Sequence, residues 1–258
     1  MRIFVTGAAC GIGAAVTQQA LDNGHEVIAA DANMPLLQQR WDNTAVSTQQ
    51  LDVRDAEAWE SAINRVESEQ GAIDVLINVA GVLRTGATAD IKPEDVELTM
   101  AVNVNGNAMA KRMKQRQAGH IINIGSLASL YAVPGLTVYS ASKYAVRGFS
   151  LAAAADLLPY NVAVTVVGPG AVKTAMLDQQ RGDENAALTF SGSRAFSPEE
   201  IAQAVLGPIL KKRPLDFYLP ASQGWQGKIT NLFPRLMFGQ ISKLRKKGAA
   251  QFHAKNFS

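Results

Sequence analysis

Residues 2–13 read Arg-Ile-Phe-Val-Thr-Gly-Ala-Ala-Cys-Gly-Ile-Gly, a short apolar run followed by glycines at Gly7, Gly11 and Gly13. Beyond them Ile12, Val16 and Ala20 recur at helical spacing, so the stretch reads as strand, tight turn and helix. Glycines in such a turn let the backbone reverse sharply and let a pyrophosphate approach the N–H groups at the helix N-terminus, where the helix dipole favours an anion. Three residues separate the first two glycines, so the common G-x-G-x-x-G template misses this turn.

The same alternation continues outward. Ile3–Thr6, Glu26–Asp31, Ser47–Leu51, Ile73–Asn78, His120–Ser126, Val162–Val167 and Asp216–Pro220 read as strands, with helical patterns such as Trp59, Ile63 and Val66 between them. Seven strands alternating with helices predict an α/β fold, a doubly wound Rossmann-type parallel seven-stranded sheet in one domain over residues 1–222. Residues of about 175–197, rich in Gly, Ser and Asp, are expected to form a lid. Residues 223–258 are expected to form a basic amphipathic C-terminal tail.

The second strand ends at Asp31, whose carboxylate can accept hydrogen bonds from both hydroxyls of an adenosine ribose and would repel a 2′-phosphate. Cys10 stands where a phosphate-binding Arg or Lys would suit the turn, and no basic residue follows Asp31 until Arg40. NAD is therefore the expected cofactor. Cys10 is the lone cysteine of the 258 residues, which leaves no internal disulfide, and no Cys/His cluster has metal-ligand spacing. No apolar run reaches membrane-spanning length, and a cytoplasmic address is expected.

Charge is divided unevenly. Residues 1–216 hold 18 Lys and Arg against all 22 Asp and Glu, whereas residues 217–258 hold 7 Lys and Arg and no acid. A body of net −4 argues against a nucleic-acid groove.

Tyr139-Ser140-Ala141-Ser142-Lys143 sets Tyr and Lys four apart, on one face of a helix, where an ammonium can favour a phenolate. Together with the glycine-rich turn, Asn78-Val79-Ala80-Gly81, Asn103, Ser126 and Pro169-Gly170, this pair makes residues 1–220 closely resemble the short-chain dehydrogenase/reductase family. The resemblance implies that Tyr139 exchanges the proton of the substrate oxygen, that Ser126 hydrogen-bonds that oxygen, and that Lys143 holds the nicotinamide ribose and depresses the Tyr139 pKa. Asn103 would keep a water on the proton path.

It further implies cofactor contacts from Gly7, Cys10, Gly11, Ile12, Gly13, Asp31, Asp52, Val53, Asn78, Ala80 and Gly81. Tyr139, Lys143, Pro169, Gly170, Val172 and Thr174 complete that set. Around the substrate it places Leu127, Leu130, Tyr131, Val133, Met176 and Leu177, an apolar wall suited to a hydrophobic secondary alcohol or ketone. The expected activity is NAD-dependent interconversion of the two, and the alternative is a non-catalytic NAD-binding redox sensor or docking module.

Three departures stand out. Val79 replaces an Asn usual in the family, Gly168 lacks the usual side chain before Pro-Gly, and the Asn103–Ser126 interval is about one helical turn short, roughly 4 residues. A homodimer or homotetramer is implied by the resemblance and by the apolar helix Ala145–Leu158. In the tail, Ile229, Leu232, Phe233, Leu236, Met237, Ile241 and Leu244 recur beside Lys228, Arg235, Lys243, Arg245, Lys246 and Lys247, with Trp225 and Phe238 as anchors. Pro234 should divide it into two helices. Two readings stay open: a stripe packed on protein, and a helix lying in a membrane surface.

Overall fold

The computed structural model describes residues 1–104 and 108–257, with the backbone only at Leu236 and Met237. Chain order is β1 (Arg2–Thr6), α1 (Gly11–Asp22), β2 (Glu26–Asp31), α2 (Met34–Trp41), β3 (Ser47–Gln50), α3 (Ala56–Glu69) and β4 (Val75–Asn78). Then follow α4 (Pro93–Asn103), α5 (Ala110–Arg116), β5 (Gly119–Ile124), α6 (Thr137–Leu157), β6 (Val162–Pro169) and α7 (Ala175–Asp178). The chain closes with α8 (Pro198–Ala204), α9 (Leu210–Lys212), β7 (Asp216–Leu219), α10 (Ala221–Leu232), α11 (Arg235–Phe238) and α12 (Ile241–Ala249).

The strands are parallel and form one seven-stranded sheet in the order β3-β2-β1-β4-β5-β6-β7. Side chains alternate across it as strand geometry requires. Ile3, Val5, Val27, Ala29, Val75 and Ile77 pack with Val16, Leu37 and Ile201 on one face, while Phe4, Ile28, Ala30, Leu76 and Ile121 pack with Trp59, Ile63 and Met113 on the other. A sheet buried on both faces accounts for the near-continuous apolar strands of the sequence.

Strand order reverses between β1 and β4, where Thr6 pairs with Asn78, and a crevice opens there beyond the carboxyl ends of the strands. Between α8 and α9, Val205–Ile209 widen into a π-helical turn around Pro208, which has no N–H to give the preceding turn.

Three features bear on the sequence-based expectation. α4 ends at Asn103 with Val104 as its C-cap, and α5 begins at Ala110; residues 105–107 between them lie outside the described set. α10 starts at Ala221, so the expected boundary after residue 222 falls inside a helix. Pro234 does separate α10 from α11, and α12 forms a third piece beyond it.

The expected lid is anchored by the end of the chain. Glu184–Ser191 form a 3-10 segment whose Phe190 is fully buried against Phe252, at 5.1 Å between ring centroids, and Phe257, at 5.4 Å. Arg181 donates to the carbonyls of Phe252 and Phe257, the latter at 2.6 Å, and Ala195 N–H donates to Asn256 O at 2.9 Å. α12 lies so close that a Cβ on Gly248 would fall 1.8 Å from the Ala187 carbonyl oxygen.

Candidate active site

The turn after β1 is shaped by its three glycines. Gly7 and Gly11 have φ of +65° and +54°, a region that penalises any Cβ, and a Cβ on Gly13 would sit 2.0 Å from Gly7 O. Cys10 caps α1 without a side-chain hydrogen bond, so the first-turn N–H groups of Gly11, Ile12 and Gly13 have no side-chain acceptor and suit a pyrophosphate. Burial and the Asp31 charge raise the exposed Cys10 thiol pKa, which leaves the sulfur a poor nucleophile at neutral pH. Thr6 Oγ1 accepts from Val79 N at 3.1 Å and Ala80 N at 3.2 Å, holding the second cofactor-side loop against the first.

Asp31 accepts from Ala9 N at 3.1 Å and Asn33 N at 2.9 Å, while Asn33 itself caps α2 by accepting from Leu36 N. Arg40, distant from the turn in sequence, is brought back to it: Nε donates to Ala9 O at 3.3 Å. Asp52 is gripped by Arg54, whose hydrogen bonds hold its pKa below the usual carboxylate range. Val53, Asn78, Ala80 and Asn103 line one small cleft beside β4. Asn78 Nδ2 donates to Asn123 Oδ1 at 2.8 Å, and its own buried Oδ1 has no partner.

A cavity of about 850 Å³ adjoins the turn. Ile12, Gly81, Ser126, Tyr139, Lys143, Pro169, Gly170, Val172 and Thr174 line it together with Leu127, Tyr131, Val133, Met176 and Leu177. Leu130 does not reach it. That residue is wholly buried beneath Leu127 and Tyr218, with Gly227 pressed on its side chain, so its expected substrate contact is corrected to a core role.

Tyr139 and Lys143 lie on α6, and Ser126 follows β5 at the head of a 3-10 turn, accepting from Ala128 N at 3.1 Å. Burial raises the Tyr139 pKa and the Ser126 hydroxyl offsets part of that rise. The Lys143 ammonium, 5.5 Å from the Tyr139 ring centroid, donates to Ile124 O at 2.9 Å. Its pKa is lowered to about 8 by burial. Net depression of the phenol by Lys143 is therefore not what this geometry gives; desolvation is the larger effect.

Asn103 is engaged at both ends of its amide. Its Nδ2 donates to Val82 O at 3.0 Å and Ser142 Oγ at 2.9 Å, and its Oδ1 accepts from Val82 N at 2.8 Å, which ties the loop after β4 to α6. With both amide hydrogens committed, only one Oδ1 lone pair is left for the expected water.

Sequence reasoning missed wall residues that arrive from far along the chain: Leu188 and Thr189, Arg194, Gln223 and Thr230 on α10, then Gln240 and Leu244. Arg194 brings a cation to a wall expected to be apolar, but Glu200 engages it through two bonds of 2.7 Å and Phe196 stacks beneath it at 4.3 Å. The Gly168 departure has a steric cause, since a Cβ there would meet the Tyr218 ring at 2.3 Å.

A family model described as short chain dehydrogenase matches residues 1–185. The chain is 33% identical over 225 residues to 2,3-dihydro-2,3-dihydroxybenzoate dehydrogenase of Bacillus subtilis (strain 168), covering 79% of this chain and 86% of that protein. It is 37% identical over 218 residues to the NADP-dependent 3-hydroxy acid dehydrogenase YdfG of Salmonella typhi, covering 80% and 87%. Among solved structures, the closed form of serine dehydrogenase complexed with NADP⁺ superposes with a TM-score of 0.75 at 32% identity, covering 84% of this chain and 94% of that one.

Proposed function

Because this chain belongs to the short-chain dehydrogenase/reductase family, we propose that it interconverts a hydrophobic secondary alcohol and its ketone with NAD(H), using Tyr139 as the acid/base. The observation that carries this reading is the convergence of Ser126, Tyr139 and Lys143 on one cavity whose other wall holds Leu127, Val133, Met176 and Leu177. When bound, the nicotinamide ring supplies the hydride acceptor or donor. The first turn of α1 would hold the pyrophosphate, Asp31 the adenosine ribose, and Lys143 the nicotinamide ribose. In the oxidising direction Tyr139 takes the hydroxyl proton while Ser126 keeps the oxygen in place; in reduction Tyr139 gives the proton back. Asn103 fixes the loop after β4 against α6, so Gly81 and Lys143 keep their spacing.

A second reading concerns the substrate. Arg194 on the cavity wall would suit a carboxylate if it turned from Glu200, and a 3-hydroxy acid dehydrogenase and a serine dehydrogenase stand among the similar proteins. The Glu200 fork argues for the apolar substrate.

Stopped-flow NADH fluorescence and a screen of apolar alcohols beside 3-hydroxy acids test both readings. Tyr139→Phe is expected to bind NADH as the unaltered chain does and to lose turnover by a factor of roughly 10²–10⁴. Retained turnover overturns the acid/base assignment, and turnover confined to hydroxy acids overturns the apolar substrate.

A further inference from the structure

The inner face of α10 is packed so closely that its orientation is fixed. A Cβ on Gly224 would lie 2.5 Å from Tyr218 Cβ, and one on Gly227 2.8 Å from Leu130 Cβ. Trp225, Ile229 and Leu232, four and three residues apart, therefore share the opposite stripe, which Phe233 extends. They are 69%, 54%, 74% and 60% exposed, and Phe238 on α11 is 67% exposed. Of the ten large apolar side chains exposed among the described residues, five fall between residues 225 and 238. Apolar side chains exposed together along one helix face, as on α10, mark an interaction surface.

Charge identifies what covers it. Residues 217–258 carry seven Lys and Arg and no acid. Lys228 is committed to Asp216 at 3.0 Å, whereas Lys243, Lys246 and Lys247 on α12 are exposed and make no salt bridge among the described residues. A second copy docked through the same face would set two acid-free cationic segments against each other, and repulsion opposes that pairing. A surface with hydrocarbon beneath a layer of negative charge satisfies both features at once.

We propose that α10, α11 and α12 dock the protein peripherally on an anionic phospholipid bilayer. Trp225, Ile229, Leu232, Phe233 and Phe238 enter the interface, and the α12 lysines meet the headgroups. No described helix is long and apolar enough to cross a membrane, so the contact lies in the surface plane. Docking is independent of the reaction assigned to the cavity, which Gln223 and Thr230 line from a different side of α10 than the exposed stripe.

Trp41 and Trp59 are 4% and 6% exposed, which makes Trp225 a native reporter. The full-length protein is mixed with vesicles of phosphatidylcholine alone or with phosphatidylglycerol, and Trp emission, quenching by brominated lipid and co-sedimentation are followed. Blue-shifted emission and pelleting only with phosphatidylglycerol, both reversed by high salt, are expected. Combined Trp225→Ser, Ile229→Ser, Leu232→Ser and Phe233→Ser should weaken pelleting roughly tenfold or more, and Lys243→Glu with Lys246→Glu and Lys247→Glu should do the same. Absence of a shift and of pelleting by the unaltered chain overturns the proposal, as does salt-insensitive binding to both vesicle types. So does light scattering in which the serine variant dissociates an oligomer of the unaltered chain, which would make the face a contact between copies.

Discussion

His120 lies in β5, 1% exposed, with Nε2 2.9 Å from the Thr165 hydroxyl and Nδ1 without a partner. Burial, with a smaller contribution from the Arg213 charge, lowers its pKa to about 4. The folded state therefore binds fewer protons than the unfolded chain between the ordinary value of 6.5 and about 4. The stabilising contribution is complete above 6.5 and is lost as pH falls through that window, on the order of 3 kcal/mol in all. His120→Gln should flatten that part of the melting-temperature profile; a variant whose Tm still drops as steeply would place the acid sensitivity elsewhere. In the function proposed above, Asp31 selects the cofactor at the same scale. Charge repulsion and lost ribose hydrogen bonds should make NADP the poorer partner by on the order of 2–4 kcal/mol, although Arg40 at the Ala9 carbonyl offers an opposing charge. Asp31→Asn should narrow the gap in kcat/KM at least tenfold, and equal kcat/KM in the unaltered enzyme refutes the NAD assignment.

The strands and the turn after β1 were legible from the sequence because each signal is local: short apolar runs between helical patterns, glycines clustered at Gly7, Gly11 and Gly13, Tyr139 and Lys143 one turn apart. What escaped reading was held by distant contacts. Leu130 has the same composition signal as Leu127, and only the approach of Gly227 from α10 puts one in the core and the other on the cavity. Likewise nothing beside Glu184–Ser191 announces that Phe252 and Phe257 will close over Phe190. Gly248→Val should force α12 off Ala187, and with it Leu244 off the cavity. The expected result is faster proteolysis within residues 184–191 and a raised substrate KM, with NADH affinity unchanged; protection equal to the unaltered chain would show that the aromatic cluster alone holds the segment.

At the scale of the molecule the −4 body and the +7 tail make a strongly polar particle, whose association should respond to salt. Assembly into a dimer or tetramer is expected from the family, and light scattering at micromolar concentration checks it. A monomer would trace to the Asn103–Ser126 interval, about one helical turn shorter than is usual in the family. The hydrogen bonds from Arg181 to Phe252 and Phe257 span 71 and 76 residues of chain, and they impose an order on synthesis. A nascent chain has its glycine turn, Ser126, Tyr139 and Lys143 in hand well before the residues that brace the 3-10 segment have emerged. The segment that walls the far side of the cavity is therefore braced only by residues that leave the ribosome more than 100 positions after Lys143.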